Sequence, residues 1–243
     1  MSGEFHALHH GGDPLLLPNV WDVGTAETLV EAGFRAVATT SFGIASSVGV
    51  PDGAGRTRDH VVALVRRLAP LPCLLTVDVE GGFSDEPAEV ADLAASLADL
   101  GVVGINLEDG AGPGRLVDAG LHAAKVAEVK ARVPRLFVNA RVDTYWVDAE
   151  RTISATLARA ERYRDAGADG IFVPGRLTAV EIADLADGIG VPLNVLWYPG
   201  SHGVAELAAL GVKRISMGSQ LYRAARRAAV GLARELADGL LSG

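Results

Sequence analysis

The chain has 243 residues, 49% of them hydrophobic, 21% charged and 5% aromatic. High apolar content with modest charge excludes intrinsic disorder, and the length suits one β/α barrel of about 250 residues. The formal charge of −8, from 22 basic and 30 acidic residues, argues against nucleic acid or an anionic membrane as partner.

The opening segment, MSGEFHALHHGGDP, has no basic region followed by an apolar run, so no signal peptide is expected. No apolar run reaches the roughly 18 residues of a membrane span. His6, His9 and His10 precede the first strand signal and lack acidic partners. They are expected to lie in a solvated segment rather than a metal site.

Eight short apolar runs then alternate with amphipathic stretches. They are near-continuously apolar, as strands covered on both faces should be. The first, LLLPNVW (15–21), is followed by Asp22, which can cap a helix to about Ala32, with Gly33 after its end. AVATTS (36–41) is the second strand. CLLTVDVE (73–80) is the third, opening on Cys73 at the end of the barrel away from any site. This lone cysteine is expected to be a core residue and a poor nucleophile. Without a second cysteine no internal disulfide forms, which fits a reducing cytoplasm.

Ser84 or Asp85 then precedes Pro87 and an Ala/Leu-rich helix to about Leu100. GINLED (104–109) and RLFVNARV (135–142) are the fourth and fifth strands. Asp148 is placed to cap a helix running to Ala166 and stopped by Gly167. GIFVP (170–174), LNVLWY (193–198) and RISMGS (214–219) complete the strands, and a last helix opens near Ser219.

AGFRAVATTS, LGVVGINLED, AGADGIFVPG and LGVKRISMGS share one grammar: a helix ends at Gly, the chain turns, and a buried strand begins. They precede the second, fourth, sixth and eighth strands. Eight such units without a composition shift predict a single-domain α/β (β/α)8 barrel over residues 1–243, in preference to an open doubly wound sheet.

A barrel's active site lies at the C-terminal strand ends. There this sequence places Asp78, Glu80, Glu108 and Asp109, from two neighbouring strands. Carboxylates at such density repel, and a hard divalent cation relieves the repulsion. Asp109 is as well explained by capping of the next helix. Arg141 is the only basic residue at these ends, with a planar fork suited to a carboxylate or phosphonate. An ion pair with Glu108 or Asp143 is the plainer alternative, and both can hold. His202 follows the seventh strand and is a candidate general acid.

At these residues the sequence resembles the isocitrate lyase/phosphoenolpyruvate mutase superfamily. The resemblance runs from PNVWDVGTA through ATTSFGIASSVGVPDG, DVEGGFSD, GINLEDG, NARVD and AGADGIFVPG to LNVLWYPG, nearly the whole chain. It implies a Mg²⁺-dependent barrel, with Mn²⁺ as a possible substitute, that makes or breaks C–C or P–C bonds beside a 2-oxo carboxylate through a metal-stabilised enolate. By the same resemblance Asp78 is the direct metal ligand, while Glu80 and Glu108 hold metal waters. Asp52 supports the site from the loop after the second strand. Thr40, Ser41 and Phe42 receive the substrate carboxylate, Arg141 binds its oxo-acid end, and Asn194 is a polar substrate position on the seventh strand.

Two departures narrow the reaction. The family's lyases carry a gating loop with a catalytic cysteine, and its phosphonopyruvate mutases carry Lys and Asn there. Here that loop reads GAGPGRLVDAG, without Cys, His, Lys or Asn. The leading expectation is a lyase cleaving a C–C bond of a small 2-oxo or 2-hydroxy dicarboxylate, as decarboxylase or aldol-type enzyme. Tyr198, His202 and Tyr145 are candidates to protonate the product. The alternatives are phosphonopyruvate mutase or hydrolase chemistry, and a 2-oxo acid binding protein without turnover. Members of the family also form oligomers by exchanging C-terminal helices. The last segment carries an apolar stripe at Leu221, Ala224, Ala225, Ala228, Leu232, Leu236 and Leu240. A homodimer or homotetramer with this helix at an interface is therefore expected.

Overall fold

A computed structural model describes residues 2–241, with side chains through residue 238. The first expected strand breaks at Pro18, which has no N–H to give to a ladder. Its halves are β1 (Leu15–Leu17) and β2 (Asn19–Val20). The others are β3 (Ala36–Thr39), β4 (Leu74–Asp78), β5 (Gly104–Glu108), β6 (Phe137–Arg141), β7 (Gly170–Val173), β8 (Leu193–Leu196) and β9 (Arg214–Ser216). Every pairing is parallel. β1 pairs with β9 and β2 with β3, so the split strand closes the sheet on itself. Nine segments thus make the eight staves of a (β/α)8 barrel, as the sequence predicts.

The helices are α1 (Ser2–Leu8), α2 (Val23–Glu31), α3 (Ser41–Val48), α4 (Arg58–Leu68), α5 (Pro87–Asp99), α6 (Ala119–Arg132), α7 (Ile153–Asp165), α8 (Ala179–Ile189), α9 (Val204–Ala209) and α10 (Gln220–Leu241). Asp22 caps α2 by accepting from the Thr25 N–H at 2.7 Å. Asp148 does not cap α7. That helix starts at Ile153 under Thr152, and Asp148 lies in the preceding loop at φ 58°. The four-fold grammar has a common geometry. Gly33, Gly101, Gly167 and Gly211 have φ between 90° and 101°. After each, the next N–H reaches the carbonyl five residues back, from Phe34 to Leu29, Val102 to Leu97, Ala168 to Tyr163 and Val212 to Leu207. These are Schellman endings, whose left-handed residue favours glycine.

Alternation along each strand sorts the side chains. Leu75, Val77, Ile105, Leu107, Val138 and Ala140 pack outward under the helices in one large core. The alternate positions face inward. Lowest in the barrel, Ala36, Leu74 and Phe137 form a small second cluster with Phe5 of α1. That helix closes the bottom of the barrel. Phe5 meets Phe137 edge to face at 5.5 Å, and His9 stacks on Phe137 at 4.1 Å.

The expectation of a solvated histidine segment fails here. His9 is 1% exposed and its Nδ1 bonds the Phe5 carbonyl at 2.8 Å. The sequence signal overlooked was Phe5, one turn before His9, which gives the segment an apolar face to bury. His6 lies near Asp169, and His10 stays exposed.

The last helix behaves differently from the others. Tyr222 is buried, but from Arg223 to Asp238 every residue except Gly231 is exposed, with Leu232 and Leu236 at 70%. The apolar stripe therefore does not lie on its own barrel. Leu240, the last position of that stripe, has no described side chain. Among the described residues, no helix is long and apolar enough to cross a membrane.

Burial pushes the His9 imidazole down to about 3, and the nearby Arg214 charge acts in the same direction. His122, buried beside Tyr163, is likewise pushed to about 3. Both are neutral in the fold and charge readily in the unfolded chain, near pH 6.5. Their contribution is fully present above that pH and is lost as pH falls toward 3. The urea midpoint should therefore fall between pH 7 and 4. The fall should be shallower in His9→Phe, measured by circular dichroism.

Candidate active site

Three inward positions at the upper strand ends carry charge: Asp78 on β4, Glu108 on β5 and Arg141 on β6. Each follows by two residues a buried polar one on the same strand, Thr76, Asn106 and Asn139. Arg141 is the hub. Its Nη1 pairs with Glu108 Oε2 at 2.6 Å and its Nε with Asp143 Oδ1 at 2.6 Å. The Trp146 and Phe172 rings stand 5.5 and 5.7 Å from its guanidinium carbon. Both ion-pair alternatives raised from the sequence hold at once. Nη2 has no hydrogen-bond partner among the described residues and remains a free donor.

Asp143 reaches Arg141 because Gly110 stands beside it; a Cβ there would lie 2.3 Å from Asp143 Oδ2. Its backbone N–H is fixed by Asp109 Oδ1 at 2.8 Å. Asp109 is fully buried and also accepts from Tyr163 and Arg159, at 2.6 and 3.2 Å. It is a bracket for the β6–α7 turn, neither a helix cap nor a member of the charged rim.

The Asp78 carboxylate is oriented by backbone donors. It accepts from the Ser41 N–H at 3.3 Å and the Glu80 N–H at 3.2 Å. Ser41 is the first residue of α3, so this helix turns its positive end toward Asp78. Thr40 is the N-cap, and Ser41 also bonds Asp52 from the exposed loop before α4. Phe42 turns away: its ring packs on Tyr222 and under the Arg223 guanidinium at 4.3 Å.

Glu80 does not share a strand face with Asp78. β4 ends at Asp78, and Glu80 sits in the following turn at φ 49°, a left-handed conformation costly for a side chain of this kind. Its carboxylate holds it there, accepting from the Thr57 hydroxyl and the Gly55 N–H. Thr57 was not foreseen, because its pairing with Glu80 joins segments 23 residues apart.

The other sequence candidates lie elsewhere. Asn194 is fully buried and donates to Ser216 Oγ at 3.0 Å, inside the barrel rather than on its mouth. His202 Nδ1 is bonded to Glu206 Oε1 at 2.7 Å, and with Tyr198 it lines a small side pocket closed by Leu177 and Leu207. Tyr145 bonds Glu181. None of these three touches the carboxylates or Arg141. Cys73 is half-buried just before β4, at the far end of the barrel, where burial pushes its thiol up.

Electrostatics single out the rim. Burial pushes Asp52, Glu80, Glu108 and Asp143 above the usual carboxylate range, and neighbouring acids add to the push on each. Arg141 opposes this for Glu108 and Asp143. Burial works against Arg141's own charge, but Asp143, Glu108 and Asp78 hold it protonated. Five carboxylates thus share the rim with one guanidinium, and every donor is a hard oxygen. That excess fits a divalent cation of the Mg²⁺ type. No three ligating side chains converge among the described residues. The fit is therefore to an ion held by few carboxylates and several waters, not to a closed protein cage.

After β5 the segment 110–118 folds into a tight turn, with Gly110 bridged to Leu116 and the Gly114 N–H tied to the Val147 carbonyl at 3.0 Å.

Comparison with known proteins gives the family. The family model described as phosphoenolpyruvate phosphomutase matches residues 5–237. An uncharacterized Mycobacterium tuberculosis protein is 48% identical over 236 residues, covering 97% of this chain and 90% of that one. The oxaloacetate decarboxylase of Pseudomonas syringae is 28% identical, covering 96% and 83%. The crystal structure of a phosphonopyruvate hydrolase with oxalate and Mg²⁺ superposes with a TM-score of 0.87 at 25% identity, covering 98% and 87%. This chain belongs to the phosphoenolpyruvate phosphomutase family, within the isocitrate lyase/phosphoenolpyruvate mutase superfamily of lyases, mutases and hydrolases.

Proposed function

We propose that the protein is a Mg²⁺-dependent lyase cleaving a C–C bond of a small 2-oxo or 2-hydroxy dicarboxylate. The observation that carries this reading is the rim itself: a fixed arginine with one free donor, set among carboxylates, in a chain of this family. Asp78 would hold the ion directly, with Asp52, Glu80 and Glu108 bonding its waters. When bound, Mg²⁺ supplies a Lewis acid that polarises the oxo and carboxylate oxygens of the substrate.

The chain's own groups do the rest. Arg141 is clamped by Glu108 and Asp143 and flanked by two rings, so its free Nη2 meets an anionic oxygen without reorganisation. Thr40 and Ser41, at the start of α3, offer a polar seat for the substrate carboxylate. Tyr198, His202 and Tyr145 all lie away from the rim, which favours a reaction whose product is protonated from solvent, as in a decarboxylation. The absence of Lys and Asn from segment 110–118 weighs against mutase chemistry.

A second reading, P–C bond cleavage on the same platform, is favoured by the likeness to phosphonopyruvate hydrolase. Assays with oxaloacetate and with phosphonopyruvate separate the two. Oxalate binding with no turnover of any 2-oxo acid would instead point to a binding protein. The single free cysteine accords with a cytoplasmic location, which we also propose.

Three outcomes follow. Asp78→Ala should abolish Mg²⁺ binding measured by calorimetry, while Glu80→Ala and Glu108→Ala weaken it; an unchanged titration in Asp78→Ala would sink the ligand assignment. Cys73→Ser should keep the wild-type rate within about twofold, since the thiol lies at the far end of the barrel; a loss of about 100-fold in a folded variant would refute this placement. The bare apolar stripe of α10 requires a cover, and a second copy of this chain is the proposed one. Light scattering at micromolar concentration should therefore return a dimer or tetramer, not the 25.2 kDa monomer.

A further inference from the structure

One buried cation has no role in the mechanism above. Arg214 opens β9 and points into the barrel with no exposed surface, the largest side chain so enclosed. Its Nη2 donates to Asn106 Oδ1 at 2.9 Å, and the same oxygen accepts from Asn139 Nδ2 at 2.9 Å. Its Nε and Nη1 have no hydrogen-bond partner among the described residues. Among the described residues no carboxylate lies within ion-pair distance of it.

Such a group is expensive to bury, and an arginine does not escape the cost by losing its proton at neutral pH. Even here, where burial lowers it to about 9, Arg214 keeps its charge, and the carboxylate acting on it is that of Asp78. Asn106, which accepts from its one bonded nitrogen, and Asn139, which donates to the same oxygen, stand one inward position before Glu108 and Arg141 on their strands. The guanidinium therefore lies one inward position beneath the acid rim, shielded from water by the α1 plug below.

We infer that Arg214 is a fixed positive floor for the site: it offsets the rim carboxylates from beneath, moderating their hold on the cation and strengthening the binding of an anionic oxo acid. This rests on the function proposed above. It makes Arg214 a positioning residue, acting through the field at the rim without touching substrate. Its sign is distinctive. Removing the charge should tighten Mg²⁺ binding and weaken anion binding, whereas a merely structural loss weakens both.

The experiment is calorimetry with two probes, Mg²⁺ alone and then oxalate at saturating Mg²⁺, on three variants. Arg214→Met should bind Mg²⁺ about tenfold tighter and oxalate about tenfold weaker, the scale expected for one buried charge at this remove. Arg214→Lys, which keeps the charge, should stay within about threefold of the unsubstituted protein on both. Asn106→Asp leaves the guanidinium in place and neutralises it with a near-isosteric carboxylate; it should move both constants as Arg214→Met does. It also serves as the reading if the methionine variant does not fold. Unchanged constants in a folded variant, or both weakened together, overturn the inference while leaving the function intact. If the unsubstituted protein binds neither probe, the proposed function fails and this inference with it.

Discussion

Five carboxylates set against one guanidinium at the mouth of the barrel impose the constraint on which the rest of the site depends. Burial disfavours the charged forms of Asp52, Glu80, Glu108 and Asp143, and repulsion from neighbouring acids adds to it. Arg141 relieves only part of this, because its Nε and Nη1 are committed to Asp143 and Glu108. The remaining excess, carried wholly by oxygen donors, fits a hard cation better than a soft or nitrogen-bound metal.

Holding such a cluster requires backbone that repulsion cannot displace. Asp78 is pinned by two N–H groups, one of them the start of α3. Glu80 sits in a left-handed turn that its own hydrogen bonds to Thr57 and Gly55 maintain. Asp143 is set by Asp109, whose carboxylate is locked in turn by Tyr163 and Arg159 from α7. Asp78, Glu80 and Asp143 are therefore oriented by the fold's own hydrogen bonds rather than by a ligand.

Beneath the rim the barrel is unusual in its filling. Branched apolar side chains commonly pack such interiors. Here a polar tier of Thr76, Asn106, Asn139, Asn194 and Arg214 separates the charged mouth from an apolar floor of Phe5, Leu74 and Phe137. The floor is completed by α1, so the polar tier is cut off from solvent below. Its hydrogen bonds run across strands, from Asn139 to Asn106, from Arg214 to Asn106 and from Asn194 to Ser216.

By itself the sequence determined what is local or periodic. Continuous apolar runs marked the strands, and the Gly-ended helices recurred because a left-handed ending favours glycine at Gly33, Gly101, Gly167 and Gly211. The strand-end position of Asp78, Glu108 and Arg141 followed, since a parallel strand in a barrel delivers its C-terminal residues to one face. Tertiary structure alone decided what depends on partners far away in the chain. His9 is buried because Phe137, more than a hundred residues later, offers it a ring. Asn194 and Arg214 lie inside because inward alternation continues below the mouth, and residue type does not reveal depth along a strand. His202 and Tyr198 sit at the right end of their strand yet outside the rim, since loop direction after β8 is set by packing against α9. The bareness of α10 was equally hidden: a period of 3.6 states that one face is apolar, and only the surrounding fold states whether its own barrel covers it.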